Sequence, residues 1–135
     1  MPVRRVGVLG GLLLWFAVLG GALAWAVHLM AAWSVDELVC AAGSEEVAGL
    51  PLRLVVGLAV VIPAGVTLAA LVVSWRAWQQ TGRGPESDVP AGADVARAMD
   101  RSRLLAMVGI WSNLLFLSII VLGGVATLVF PPCQR

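Results

Sequence analysis

The chain has 135 residues, 60% hydrophobic and 13% charged, with a mean hydropathy of +0.94. A soluble domain carries about 25% charged residues, so this composition points to one small membrane-embedded domain. The net charge of +1 comes from nine basic residues, all arginine, against eight acids. No basic stretch is interleaved with aromatics, so nucleic-acid binding has no support. Abundant Ala, Gly and Val without lysine suggests a bacterial genome of high GC content.

The N-terminus opens with Arg4-Arg5 and then runs uncharged from Val6 to Val35. Ala22-Leu23-Ala24 resembles a signal-peptidase site, but a signal's apolar region is only ~7 to 15 residues long and this one continues through Trp33. The expectation is a retained anchor helix over about 6–33. Asp36, Glu37, Glu45 and Glu46 mark a first loop, 34–51, with a turn at Gly43-Ser44. A second apolar run covers about 52–75 and contains Pro63. Proline leaves the carbonyl four residues earlier without its helical donor, so Ala59 should be orphaned and the helix kinked there. The Thr67 hydroxyl is a candidate for partial compensation.

Trp75, Arg76 and Trp78 form an interfacial belt. Residues 79–92 are polar and rich in Gly and Pro, which reads as a flexible linker within a loop over 76–103. Asp94 is the expected N-cap of a helix continuing into the third span. That span, about 104–130, carries no charge after Arg103 until Arg135. At ~1.5 Å per residue it exceeds the ~30 Å hydrocarbon core, and lipid requires it to be helical.

Arginine asymmetry gives the orientation. Arg4, Arg5, Arg76, Arg83, Arg97, Arg101 and Arg103 belong to the N-terminus and second loop, whereas Arg53 and Arg135 lie opposite. The positive-inside rule therefore predicts a cytoplasmic N-terminus, an outer loop at 34–51 and an outer C-terminus. The expected fold is an all-α bundle of three transmembrane helices in the bacterial inner (plasma) membrane.

Small residues let membrane helices approach closely. Gly10, Leu14, Ala17, Gly21, Ala24, His28 and Ala31 share one face of span one. Pro63, Thr67, Ala70 and Ser74 share one in span two, and Gly109, Asn113, Phe116, Ile120, Gly123 and Thr127 one in span three. These faces are read as the bundle seam. Depths counted from Trp75 and from the cytoplasmic end of span three place Thr67 level with Asn113, a possible hydrogen-bonded pair. The same counting sets His28 level with Thr127.

Cys40 and Cys133 both fall on the predicted outer side, where thiols pair. A Cys40–Cys133 disulfide is expected; free or intermolecularly paired thiols and soft-metal ligation are the alternatives. Cys40, Cys133, His28 and Met30 would suit Cu(I), yet no C-x-C, C-x-x-C or M-x-x-M spacing supports a metal site. His28 is the one ionisable residue deep in a span, a functional candidate by default. Its structural reading is a neutral ring hydrogen-bonded across the seam, with Thr127 as the suggested partner. No catalytic constellation or cofactor fingerprint occurs, so the chain reads as non-enzymatic.

Ala24-Trp25-Ala26-Val27-His28-Leu29, Cys40-Ala41, Trp75-Arg76-Ala77-Trp78 and the ending from Leu115-Phe116-Leu117 through Pro131-Pro132-Cys133 together resemble a group of small bacterial membrane proteins found beside cytochrome c oxidase and oxidase-assembly genes. The resemblance implies an accessory or assembly role in the respiratory chain, with oxidase subunits or assembly factors as partners. It singles out His28, Cys40 and Cys133 for testing. Rival readings are a copper- or haem-handling protein and a subunit of a small-solute transporter.

Overall fold

The computed structural model describes residues 3–43, 46–47, 49–82, 92–130 and 133. Three long helices dominate: α1 (Val3–Ala42), α2 (Leu52–Gly82) and α3 (Ala93–Val129). Each contains a stretch apolar and long enough to cross a bilayer: Gly10–Ala42, Leu52–Thr81 and Arg97–Thr127. They pack as a bundle in which every pair of helices is in contact.

The inside of the bundle is small and polar, and the outside is large and apolar. Buried positions include Ala17, Ala24, Ala70, Ala106 and Ile120, together with His28, Thr67, Ser74 and Asn113. Leu12, Trp15, Leu23, Val61, Trp111 and Leu122 are among the exposed side chains. Lipid solvates such side chains as well as a protein core would, so burial is reserved for groups that allow close approach or need a polar partner. A Cβ at Gly20 would lie 2.8 Å from the Ala70 Cβ, and one at Gly124 would lie 2.8 Å from Val60 Cγ1. The α1–α2 and α2–α3 contacts at those points depend on bare backbone.

The helices extend further than the apolar runs. Residues 34–42, expected in the first loop, continue α1, so Asp36, Glu37 and Cys40 are helical. Nothing in Ser34–Ala42 breaks a helix once it has left the bilayer. The stop is Gly43, at φ +60°, whose N–H bonds to the Val39 carbonyl at 2.9 Å. This is the left-handed glycine termination that satisfies a helix's last carbonyls. After it comes an element the sequence reading did not foresee. β1 (Glu46–Val47) pairs antiparallel with β2 (Leu50–Pro51) in a short hairpin turning at Gly49, φ +77°.

At the other end, α2 runs past the Trp75–Trp78 pair, whose ring centroids lie 5.4 Å apart. It reaches Gly82, so the first part of the expected linker is helical. The Thr81 hydroxyl, 3.0 Å from the carbonyls of both Ala77 and Trp78, helps close the last turn. The rest of that linker, 83–91, lies outside the described residues, as do Ser44, Glu45, Pro131, Pro132 and Arg135. The N-cap of α3 is Gly92 rather than Asp94, and it makes no side-chain cap bond. Asp94 sits inside the first turn, where its charge favours the helix N-terminus, and pairs with Arg97 at 3.1 Å.

Candidate functional site

Buried polar side chains of the spans lie along the bundle axis in two layers. In the first, Asn113 of α3 reaches into α1. Its Oδ1 accepts from the Gly21 N–H at 2.9 Å, and its Nδ2 donates to the Ala17 carbonyl at 2.7 Å. Gly21 and Ala17 are four residues apart, the donor and acceptor of one helical rung. The Asn113 carboxamide therefore bonds both members of that rung, as another peptide unit would. Its partners fix its orientation, because an N–H only donates and a carbonyl only accepts. Nδ2 also donates to Gly109 O at 2.7 Å and lies 3.4 Å from Ser74 Oγ. Ser74 Oγ in turn lies 3.0 Å from Ala17 O and 2.9 Å from Ala70 O. All three helices meet at this knot.

Glycine makes the knot possible. A Cβ at Gly21 would collide with Asn113 Oδ1, and one at Gly109 would sit 2.7 Å from Ser74 Oγ and 2.9 Å from the Ala17 carbonyl.

The second layer lies about 10 Å further along α1. There the buried ring of His28 places Nδ1 2.8 Å from the carbonyl of Ala59. A carbonyl has no proton, so Nδ1 carries it and the ring, when neutral, is the Nδ1–H tautomer. Ala59 is four residues before Pro63, the residue with no N–H to give it. The carbonyl orphaned within α2 is thus satisfied from α1. His28 Nε2 points to α3, where a Cβ at Gly123 would lie 3.2 Å away. Trp25 and Phe116 hold α1 to α3 just below this layer, with ring centroids 5.6 Å apart.

Several expected pairings differ in the structure. Thr67 bonds the Pro63 carbonyl at 2.8 Å, so it neither compensates Ala59 nor meets Asn113. The depth count failed because it set Trp75 level with Arg103. The helices continue beyond both, and Ser74 instead lies beside Gly109. Thr127 is exposed and bonds the Gly124 carbonyl at 2.8 Å, leaving it no role at His28. Of the three small-residue faces, that of α2 is wholly buried, while those of α1 and α3 lose Gly10 and Thr127 to the surface. The Ala59 orphan was legible in sequence, but its donor was missed. The available signal was that His28, with no acid in any of the three apolar runs 6–33, 52–75 and 104–130, needed an acceptor at the same time.

At the far end, Cys40 on the last turns of α1 and Cys133 after α3 form a disulfide, with Cα atoms 5.6 Å apart and 93 residues between them in sequence. The bond lines a shallow crevice with Glu37 and Ala41. Both sulfurs are thereby withdrawn from soft-metal ligation, for which a cysteine must be a thiolate. Among the described residues, no three His, Cys, Asp or Glu side chains gather as a metal site.

No protein-family model, curated protein or solved structure matches this chain.

Proposed function

We propose that this chain is a non-catalytic accessory or assembly protein of a respiratory cytochrome c oxidase in the bacterial inner membrane. Its arginine-rich end faces the cytoplasm and its disulfide end faces outward. One observation supports the non-catalytic part of this reading: the buried polar side chains at the bundle axis are engaged with the bundle's own backbone, Asn113, Ser74 and His28 across helices and Thr67 within α2. The working surface is then the apolar exterior, where another membrane protein's spans can dock. The oxidase as partner rests on the resemblance of the Ala24–Leu29, Cys40–Ala41 and Trp75–Trp78 stretches and of the ending from Leu115 through Cys133. The orientation is supported by the arginine distribution and by the disulfide, a bond kept in oxidising compartments.

The test is affinity capture of the chain from its native membrane in mild detergent, followed by mass spectrometry and a visible spectrum. Oxidase subunits recovered with the tagged chain, and reduced oxidase haem content when the chain is deleted, are the expected results. A Soret band or stoichiometric copper on the isolated chain, lost in His28→Ala, would replace this reading with direct cofactor handling. Recovery of the chain free of oxidase subunits would end the assignment.

A further inference from the structure

One face of α3 changes character along its length in a way the bundle does not require. Arg97, Arg101, Leu104, Val108, Trp111 and Leu115 follow at steps of four, three, four, three and four, so they form a single stripe. All six are exposed, with Leu104 at 63%, Trp111 at 70% and Leu115 at 59%. The stripe lies across the helix from Ala106, Gly109 and Asn113, which face the other two helices. Its head is two guanidinium groups and its tail is apolar. From Leu104 to Leu115 the rise is about 16 Å, half the ~30 Å hydrocarbon core and hence the reach of one leaflet's acyl chains.

We propose that this stripe binds an anionic phospholipid, its phosphate held by Arg101 and Arg97 and one acyl chain laid along Leu104, Val108, Trp111 and Leu115. A guanidinium fork matches phosphate oxygens in a bidentate arrangement that a lysine cannot reproduce. Arg76 and Arg103, also exposed at this end, add to the positive field that draws an anionic headgroup. Among the described residues, two acids at this end oppose it, Asp94 and Asp100. Asp94 already pairs with Arg97 at 3.1 Å, which makes Arg101 the stronger phosphate ligand of the two. A zwitterionic headgroup brings its own cation to the site and gains less. The proposal does not depend on the oxidase assignment, since it concerns the isolated chain and lipid alone.

The experiment is native mass spectrometry of the full chain in detergent, titrated with phosphatidylglycerol or with phosphatidylcholine of the same acyl chains. Wild type should bind phosphatidylglycerol more tightly. At about 1 kcal/mol per arginine near a phosphate surface, Arg101→Gln should weaken it roughly fivefold, Arg97→Gln by less, and Arg53→Gln at the opposite end not at all. Migration of the oxidised disulfide form on a non-reducing gel verifies that each variant is folded. Bromine-labelled phosphatidylglycerol chains should quench wild-type tryptophan emission more than that of Trp111→Leu. Equal affinity for the two lipids, or equal losses in Arg101→Gln and Arg53→Gln, would overturn the proposal. So would displacement by inorganic phosphate alone, which would assign the site to the free anion.

Discussion

His28 donates its Nδ1 proton to the carbonyl of Ala59 across 2.8 Å, and Ala59 is the residue whose helical donor is missing because position 63 is proline. Two costs of placing a chain in lipid cancel at this one contact. An imidazole N–H buried in hydrocarbon needs an acceptor, and a carbonyl beneath a proline needs a donor. Because each partner answers the other's need, the bond should be worth more than an ordinary interhelical contact.

His28→Ala should therefore destabilise the bundle by about 2 to 3 kcal/mol, the range for stranding a buried acceptor. Pro63→Ala restores an N–H within α2 that reaches the same carbonyl. In that background, His28→Ala should cost about 1 kcal/mol less, a coupling within the range seen for contacting residues. Thermal or denaturant unfolding in detergent, followed by circular dichroism, measures the cycle. Strictly additive losses would show that His28 serves packing and not the Ala59 carbonyl.

Asn113 makes more bonds than His28 and should matter less per bond. Gly21 N–H and Ala17 C=O can close their own rung, and the Gly109 carbonyl can accept from the Asn113 backbone N–H four residues on. Removing the side chain strands no backbone group. Asn113→Ala should cost about 1 to 2 kcal/mol, in line with interhelical polar contacts in membranes. A loss exceeding that of His28→Ala in the same unfolding assay would contradict this ranking.

The contrast between those two residues also shows what a sequence can and cannot specify. Apolar run length identifies three candidate spans, because within lipid a helix satisfies every backbone group of its own segment. Cys40 and Cys133 were legible as a pair because each comes a few residues after an apolar run, on the same predicted side. The vertical register between helices was not legible. It is set by close approach at Gly21, Gly109 and Gly124, and a shift of two turns leaves every small-residue stripe looking the same in sequence. That shift exchanged Thr67 for Ser74 as the α2 neighbour of Asn113. The helical ends, Ser34–Ala42 and Gln79–Gly82, were misread because polar residues signal departure from the bilayer but not departure from the helix.

Glycine substitutions separate the closely packed positions from the merely small ones. Gly109→Ala and Gly21→Ala drive a methyl into Ser74, Ala17 and Asn113, so each should cost about 1 to 3 kcal/mol, as overpacking does. Gly57 and Gly65 face open space in α2. Alanine there should be neutral or stabilising by up to about 1 kcal/mol through helix propensity. Unfolding midpoints of the four variants test this directly, and equal effects at all four would mean that α1 and α3 do not meet at Gly21 and Asn113.

The Cys40–Cys133 bond joins the last turns of α1 to the chain just beyond α3, closing a loop of 93 residues. For a soluble chain the entropy model sets a ceiling near ~4.7 kcal/mol for a loop of about this length. Much of that entropy is already gone when the helix ends are confined to one membrane surface, so reduction should cost less than about half of the ceiling. The same modest loss should appear in Cys40→Ser and in the Cys40→Ser/Cys133→Ser double variant, since the second substitution removes a thiol that has already lost its partner. Alkylation followed by intact-mass measurement should find no reactive thiol before reduction and two after it. Labelling of unreduced protein would refute the bond, and a stability loss at the full ceiling would mean that the helices are held together mainly by the bridge and not by the Asn113 and His28 layers.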